Sequence, residues 1–319
     1  MSGWCAPLPQ LDRGSDYESE RHRFESCRAH QSSLQIAPSL RGDFSYRLAE
    51  EERVPRLKII DTHVHVFPDA LEPRAIEALT VPGRGARIPG TLGATRERMQ
   101  QVGVSCSWTI PVATRASQVA TINEYAATQD RRFFLPFGAI HPGVEDAYGL
   151  LSTYRELGFP GFKMHFDYQG VDPLDPRMQP IYDAAMDFGL ICYFHAGDDV
   201  QPHTCHGSPE VFATVLESYP GIKMVLAHLG GWRMWDEVEE RLIGRDVYFD
   251  TAYCAGEMPT DQLLRIMASH GMDKILFGTD SPWTDLASEI SFFMQRDEFS
   301  DADKEALFHG NAESLLQRA

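Results

Sequence analysis

Lys58-Ile-Ile-Asp-Thr-His-Val-His-Val-Phe67 is an apolar run that carries two histidines near its end. Successive side chains of a β-strand point to opposite faces, so His63 and His65 share one side. Two neutral imidazoles on one side of a strand suit a divalent transition metal. The run therefore predicts a strand that delivers two ligands to a metal site.

Four later apolar runs also end on side chains that can bind a metal or carry a proton. In chain order these runs end on Lys163 and His165, on His195, on His228 and on Asp280. A parallel barrel brings the carboxyl ends of all its strands to one face, so residues far apart in sequence meet there. We expect these side chains to converge on one ion.

Strand-like and helix-like patterns alternate along the chain after residue 57, and no glycine-rich phosphate turn follows the first strand. Eight alternations predict an α/β fold of the (β/α)8 TIM-barrel type, with a doubly wound sheet as the weaker alternative. The predicted strands cover residues 58–66, 104–112, 133–140, 161–166, 190–195, 222–228, 246–251 and 274–279. The predicted helices cover 93–102, 117–129, 145–158, 177–189, 209–218, 235–243, 259–270, 285–296 and, at the C-terminus, 301–317.

The composition indicates a protein of small-molecule chemistry. The 319 residues are 43% hydrophobic, enough for one large domain, and carry a formal net charge of −17. This acidic balance argues against binding to nucleic acid or to an anionic membrane, since either needs a basic patch. Six cysteines without paired short spacings fit reduced thiols, so we expect a soluble, cytoplasmic protein.

The amino-terminal segment differs from the rest of the chain. Residues 1–53 are polar, charge-dense and unpatterned, which predicts a disordered extension followed by a barrel over 54–319. A second hypothesis is a start codon called too early. Residues 23–31 can be back-translated into the end of a transfer-RNA gene, which would put the native start near Val54 or Leu57.

Six short motifs together resemble the amidohydrolase superfamily, and within it the amidohydrolase 2 branch that includes aminocarboxymuconate semialdehyde decarboxylase. The resemblance covers most of residues 58 to 316. It implies that His63, His65, His195 and Asp280 ligate one divalent ion and that His228 transfers a proton. The motifs are Ile60-Asp-Thr-His-Val-His65, Gly161-Phe-Lys-Met-His165, Phe194-His-Ala-Gly197, Ala227-His-Leu-Gly-Gly231, Gly278-Thr-Asp-Ser-Pro-Trp283 and Gly310-Asn-Ala312.

Some of these positions also admit a purely structural interpretation. His195 lies in an apolar context and could be a buried core histidine. Asp280 could be the N-cap of the helix that follows, although Asp285 makes such a cap locally unnecessary. Among the other histidines, His203 and His206 in the loop after the fifth strand offer a weak second metal site, and His270 is expected at the surface.

Lys163 and His165 are two residues apart and share one face of their strand. In dinuclear superfamily members a lysine on strand 4 becomes a carbamate that bridges two metals, whereas the branch resembled here uses one. We interpret Lys163 as a cationic anchor for a substrate carboxylate, with a structural ion pair as the alternative. We expect His165, Tyr253 and Trp283 to line the same substrate pocket.

The predicted site supports two reactions. A metal held by three imidazoles and one carboxylate leaves an open position for water and lowers the pKa of that water toward roughly 7. The lead hypothesis is a metal-dependent hydrolase whose activated water attacks a small cyclic lactone or amide, or a carboxylated substrate. His228 would take a proton and Asp280 would carry one to the leaving group.

The alternative is a metal-dependent, non-oxidative decarboxylase of an aromatic or enol carboxylic acid. A non-catalytic metal-binding barrel is a third hypothesis, which the complete ligand set disfavours. We expect one divalent ion, zinc before manganese, cobalt or iron. The expected partner is a small-molecule substrate, with neither nucleic acid nor membrane, and a homodimer is the family-level expectation.

Overall fold

A computed structural model describes residues 57–200 and 204–318 of the chain. The predicted disordered extension over 1–53, the proposed start sites before residue 57 and the candidate ligand His203 lie outside these residues.

Within the described residues, nine short parallel strands form the wall of a barrel. The first three strands pair in the order β1-β2-β3, and the other six pair in the order β4 to β9. Their bounds are β1 Ile60–Val64, β2 Cys106–Thr109, β3 Phe134–Pro136, β4 Gly138–Ala139, β5 Gly161–Met164, β6 Ile191–Phe194, β7 Met224–Leu226, β8 Tyr248–Asp250 and β9 Ile275–Leu276.

Strands β3 and β4 are two pieces of the single strand predicted over 133–140. They are separated by Phe137, whose N–H donates to the carbonyl oxygen of Thr109 on β2 at 2.9 Å. The wall closes where the N–H of Thr62 donates to the carbonyl oxygen of Phe277 at 2.9 Å. With β3 and β4 counted as one, the eight-stranded parallel TIM barrel predicted from the sequence is confirmed.

Helices alternate with the strands and surround the barrel. The sequence patterns missed α1 and the single-turn α5. In α1 the apolar face is short and consists of Ala75, Ile76 and Leu79, which are partly buried. The helices are α1 Glu72–Leu79, α2 Leu92–Val102, α3 Val119–Ala127, α4 Ala147–Ser152, α5 Phe166–Gln169, α6 Gln179–Phe188, α7 Pro209–Ser218, α8 Trp235–Arg241, α9 Thr260–His270, α10 Leu286–Met294, α11 Asp301–Glu305 and α12 Asn311–Arg318.

The predicted C-terminal helix is confirmed, with an interruption. A π-helical turn over Ala306–Gly310 separates α11 from α12. Helix α12 packs across the amino-terminal end of the strands, where Lys58 before β1 forms an ion pair with Glu313 at 2.5 Å. None of the described helices combines the length and apolarity that a membrane crossing requires.

Buried side chains fill the barrel and support the site above them. Each large apolar side chain that is fully buried contributes about 1.5 to 3 kcal/mol to folding. The interior leaves the carboxyl ends of the strands as the only edge that carries the predicted site residues, because α12 covers the opposite end. The interior cluster contains Ile60, Trp108, Ile110, Phe137, Ile191, Tyr193, Val225, Ala227, Tyr248, Leu276, Ala312 and Leu315.

Candidate metal centre

His63, His65 and Asp280 meet at the carboxyl end of the barrel. The Nε2 atoms of His63 and His65 are 3.1 Å apart, and Asp280 Oδ1 lies 3.4 Å from the first and 3.3 Å from the second. Atoms that bind one ion at 2.0 to 2.1 Å lie about 2.9 to 3.4 Å apart for bond angles between roughly 90° and 109°. The three separations therefore fit shared coordination of a divalent cation.

The protonation of His63 makes its Nε2 a ligand. Burial lowers the pKa of His63 to about 3, so the ring is neutral and carries one proton. Its Nδ1 lies 2.7 Å from Oδ2 of Asp250, at the end of β8. An ionised carboxylate only accepts hydrogen bonds, so Nδ1 carries the proton and Nε2 presents a lone pair.

Asp250 is ionised although it is fully buried. Burial opposes its ionisation most strongly, but His63, His228 and the hydrogen bond from Tyr193 together outweigh it and hold the pKa of Asp250 below its usual range. The hydroxyl of Tyr193 also donates to Oδ2, at 2.5 Å. The ionised carboxylate is thus compensated by donors on β1 and β6.

His195 and His228 form a second close pair beside this group. Nδ1 of His195 lies 3.1 Å from Nε2 of His228, and the rings of His228 and His63 are 5.1 Å apart. The other nitrogen of each ring faces a carbonyl oxygen, that of Asp198 at 3.0 Å for His195 and that of Ala252 at 2.8 Å for His228. A carbonyl oxygen only accepts, so the nitrogen that faces it carries a proton in each ring. A cation or a shared proton between the other two nitrogens would keep their lone pairs from repelling each other.

The structure thus brings three of the four predicted ligands together and places the fourth, His195, against His228. The ligand atoms of His63, His65 and Asp280 all lie within 4.8 Å of one another, whereas His195 groups with His165 and Asp199. His195 nevertheless directs a bare Nδ1 into the site, as a ligand requires. Its coordination of the same ion stays a prediction.

The group of His165, His195 and Asp199 lacks the geometry of a chelate. The rings of His165 and His195 stack face to face at 3.9 Å with 11° between their planes. Imidazole lone pairs lie in the ring plane, so parallel stacked rings cannot direct them at one ion. Tyr168 stacks on the other side of His165 at 4.0 Å, and Asp199 Oδ2 lies 2.8 Å from His165 Nε2.

Lys163 is a buried ammonium without a partner. Its side chain is 1% exposed, and Nζ has no hydrogen-bond acceptor among the described residues. Burial lowers the pKa of Lys163 to about 8, although Asp250, Asp280 and Asp199 act in the opposite direction. Nζ lies 4.9 Å from the centre of the Tyr193 ring. A structural ion pair, the alternative left open by the sequence, therefore has no partner in the described part of the chain.

Asp280 is held in a conformation that serves the site and not the helix after it. Its φ of +66° is left-handed, and its N–H donates to the carbonyl oxygen of His63 at 2.9 Å. The N-cap of α10 is Asp285, which accepts from Ser288 N at 3.1 Å. Burial opposes ionisation of Asp280, but His63 and His65 lower its pKa below the usual range. The helix-cap alternative for Asp280 is therefore wrong.

Comparison with known proteins agrees with this fold. Residues 60–318 match the family model described as amidohydrolase. The chain belongs to the amidohydrolase family. This amidohydrolase is 25% identical over 120 residues to gamma-resorcylate decarboxylase from Polaromonas sp. (strain JS666 / ATCC BAA-500), with 32% of this chain and 36% of the relative covered. The match thus spans about a third of the relative's length.

Solved structures of similar fold include two decarboxylases. The dihydroxybenzoic acid decarboxylase from Polaromonas sp. JS666, with bound manganese and the inhibitor 2-nitroresorcinol, gives a TM-score of 0.63 at 17% identity over 82% of this chain and 97% of that one. The 5-carboxyvanillate decarboxylase from Sphingomonas paucimobilis gives 0.64 at 16% identity over 82% and 99%. At these identities the likeness establishes the barrel fold.

Aromatic side chains of the amidohydrolase surround the entrance to this site. The ring of Trp283 packs edge-to-face on His65 at 5.4 Å. Tyr253 and Trp232 lie 6.3 Å apart, and the guanidinium of Arg84 lies 5.3 Å from the centre of each ring. Arg84 also forms an ion pair with Glu257 at 2.7 Å. The predicted substrate contact Trp283 thus lies beside the candidate metal group, and the predicted contact Tyr253 lies beside Arg84, whose charge is paired with that of Glu257.

Sequence reasoning missed Asp250, Asp199 and Arg84. Asp250 ends a predicted strand, so the strand-end criterion that selected the other residues would have found it. Asp199 and Arg84 lie in loops with no local signal. The surface prediction for His270 is wrong, because its Nε2 lies 2.8 Å from the carbonyl oxygen of Val247 and its ring stacks on Phe249 at 3.9 Å.

The predicted second metal site pairs His206 with His203, and only His206 belongs to the described residues. The backbone N–H of His206 donates to Asp167 Oδ1 at 3.0 Å, while His203 is outside the described residues. A second metal site in this loop stays a prediction.

Proposed function

We propose that this amidohydrolase is a metal-dependent, non-oxidative decarboxylase of an aromatic carboxylic acid. The observation that carries the proposal is the unpartnered ammonium of Lys163, buried beside the group of His63, His65 and Asp280. A buried charge without a partner is costly, and a substrate carboxylate would compensate it. A neutral lactone or amide would leave this charge uncompensated. The decarboxylases named above support the same choice.

The donor set of two imidazoles and a carboxylate, with His195 as the proposed fourth ligand, accepts zinc, manganese, cobalt or iron. A divalent ion held there would supply a Lewis acid that polarises an oxygen substituent of the substrate. The manganese bound by the Polaromonas decarboxylase is the reason to test manganese first. Zinc, the metal favoured by the sequence, is the second choice.

Decarboxylation breaks the bond between the ring and its carboxylate, releases carbon dioxide and leaves the electron pair on a ring carbon that then takes a proton. We propose that Lys163 binds the carboxylate and that His228 takes up the proton of a substrate hydroxyl at Nε2. Asp280, which is ionised, would accept this proton from His228 and pass it to the ring carbon, so the product would leave as a phenolate that takes a proton from water. Each group lies at the carboxyl end of a different strand, which lets one planar substrate contact all three.

Trp283 and Tyr253 would contact the faces of the aromatic ring. Both rings stand at the entrance, Trp283 against His65 and Tyr253 against Trp232. Aromatic side chains of this kind bury a planar ligand with little loss of conformational entropy. In this proposal the ring of the substrate packs against these aromatic side chains while its carboxylate reaches Lys163.

The test is product analysis on protein reconstituted separately with manganese and with zinc. Hydroxybenzoates with a carboxylate beside a hydroxyl group should lose carbon dioxide in equal amount to the substrate consumed. His63→Ala, purified and treated in the same way, is the control for activity that does not need the site. Hydrolysis of lactones or amides without release of carbon dioxide from any aromatic acid would instead establish the hydrolase.

A further inference from the structure

One buried carboxylate, that of Asp250, contacts both histidine groups of the candidate site. Its Oδ2 accepts from the ring of His63 at 2.7 Å and from the hydroxyl of Tyr193 at 2.5 Å. Its Oδ1 accepts from the backbone N–H groups of His228 at 2.8 Å and Ala252 at 2.9 Å. A carboxylate has about four lone-pair positions, so this one is saturated.

The two oxygens of Asp250 have different hydrogen-bond partners and act on different histidines. Oδ2 decides which nitrogen of His63 is protonated, and therefore which one faces His65 and Asp280. Carboxylates that accept from the second nitrogen of a metal-binding histidine set its tautomer and ring orientation in this way. Without this acceptor, the proton of His63 would be free to move to Nε2 and remove the lone pair.

Oδ1 holds the chain turn that carries His228. His228 and Leu229 have φ of +59° and +51°, left-handed values that L-residues adopt at a cost. Oδ1 accepts from the N–H of His228, and the backbone oxygen of Asp250 accepts from the N–H of Leu229 at 2.7 Å. The turn directs Nε2 of His228 at His195. Both ends of Asp250 therefore act on the orientation of a histidine.

We propose that Asp250 is the positioning residue that presents His63 to the metal and fixes the turn of His228. It would act through these histidines, without touching substrate. The inference rests on the proposed metal group but not on the proposed reaction, so metal binding tests it whether or not decarboxylation is found.

Asp250→Asn separates the two roles. The two backbone donors at Oδ1 keep the amide oxygen on their side, so the turn of His228 is retained. The amide nitrogen then replaces Oδ2 and directs its hydrogens at His63 and Tyr193. His63 can meet this donor only by moving its proton to Nε2, which abolishes the ligand. We expect the affinity for manganese and zinc to fall about 10- to 100-fold.

Asp199→Asn is the matched control. It alters the same kind of contact, a carboxylate oxygen 2.8 Å from a histidine nitrogen, but on His165, whose stacked ring is outside the metal group. We expect its metal affinity to stay within a few-fold of the native value. Thermal unfolding followed by circular dichroism shows that each variant is folded before its affinity is measured.

Ring-nitrogen NMR of histidine-labelled metal-free protein reads the tautomer directly, with His63→Asn to assign the signals. We expect a proton on Nδ1 of His63 in the native protein and on Nε2 in Asp250→Asn. Native-like metal affinity in folded Asp250→Asn, or an equal loss in Asp199→Asn, would overturn the proposal. If Asp250→Asn does not fold, the native spectrum decides, because a proton on Nε2 of His63 contradicts the role assigned to Asp250.

Discussion

Replacing Lys163 by methionine should stabilise the metal-free protein while it removes activity on carboxylated substrates. The ammonium is buried and has no hydrogen-bond acceptor in the described residues. Methionine has a similar length, carries no charge and adapts to irregular space. The substitution therefore removes a desolvated charge without opening a large cavity.

The magnitude follows from the pKa of Lys163, which burial lowers from 10.5 to about 8. At pH 7 the charge on Lys163 therefore lowers the free energy of unfolding by about 3 kcal/mol, because the ammonium is less stable in the folded protein than in the unfolded chain. This loss of stability is fully present below the pKa of Lys163 in the folded protein. It fades as the pH rises toward the pKa in the unfolded chain, because both states then lose the proton. We expect Lys163→Met to gain about 3 kcal/mol at pH 7 and little at pH 10.5.

Urea unfolding of the metal-free proteins at the two pH values measures this difference, and thermal scans check it. A gain of that size should raise the unfolding midpoint of a domain of this length by roughly 6 °C. Lys163→Arg is the charge-preserving control, and we expect no gain in stability from it. Turnover of the carboxylated substrates by Lys163→Met should be lost despite the greater stability.

A loss of stability in Lys163→Met at pH 7 would refute the reasoning. One specific cause is a carbamate on Lys163, which would be an anion bound to metals and not an isolated cation. The native protein would then carry one added carbon dioxide in its intact mass, and its activity would depend on bicarbonate. The stability measurement and the mass thus separate the anchor from the carbamate.

Three further predictions concern the support of the site. Gly197 has a φ of +89°, and in Gly197→Ala the new Cβ would lie 2.2 Å from Trp232 N. The free energy of unfolding should therefore fall by roughly 3 kcal/mol or more, and a urea unfolding curve equal to that of the native protein would contradict this. Burial raises the pKa of Glu289 from 4.5 to about 8, so between these values the unfolded chain releases a proton that the folded protein keeps. The native protein should therefore lose stability between pH 5 and pH 9, whereas Glu289→Gln should not, and thermal unfolding midpoints measure the difference. Trp283→Ala should raise KM more than it lowers kcat, and a fall in kcat alone would mean that the ring orients His65 instead.

Much of the barrel could be predicted because its elements repeat a simple pattern. Each predicted strand is an apolar run that the wall buries, so all eight predicted strands correspond to strands of the structure. The break at Phe137 could not be predicted, because β3 pairs with β2 whereas β4 pairs with β5, and the local pattern does not specify this change of partner. Helix α1 was missed although Ala75, Ile76 and Leu79 recur at helical spacing, because three apolar residues in two turns are too short a pattern to identify a helix.

The site residues that end strands could also be predicted, but their mutual arrangement could not. Asp61 lies inside the first apolar run, and Lys163 and Asp250 lie near the ends of theirs, yet the surroundings of the three residues differ. Asp61 accepts from Thr279, and burial raises its pKa to about 7, while burial lowers that of Lys163 to about 8. Asp250 stays ionised because four donors surround it. These differences arise from neighbours on other strands, which a single run of sequence does not contain.

The tautomers of the histidines are the clearest case of information that appears only in three dimensions. His63 takes its acceptor from Asp250, 187 residues later, and His228 takes its acceptor from Ala252, 24 residues later. Each acceptor fixes a proton on one nitrogen and leaves a lone pair on the other. Nε2 of His228 faces Nδ1 of His195, and Nε2 of His63 faces His65 and Asp280. A cation or a shared proton between these atoms would relieve the repulsion of their lone pairs. The lone pairs that are offered to a metal therefore depend on hydrogen bonds on the far side of each ring, whereas the sequence reveals only that the rings are present.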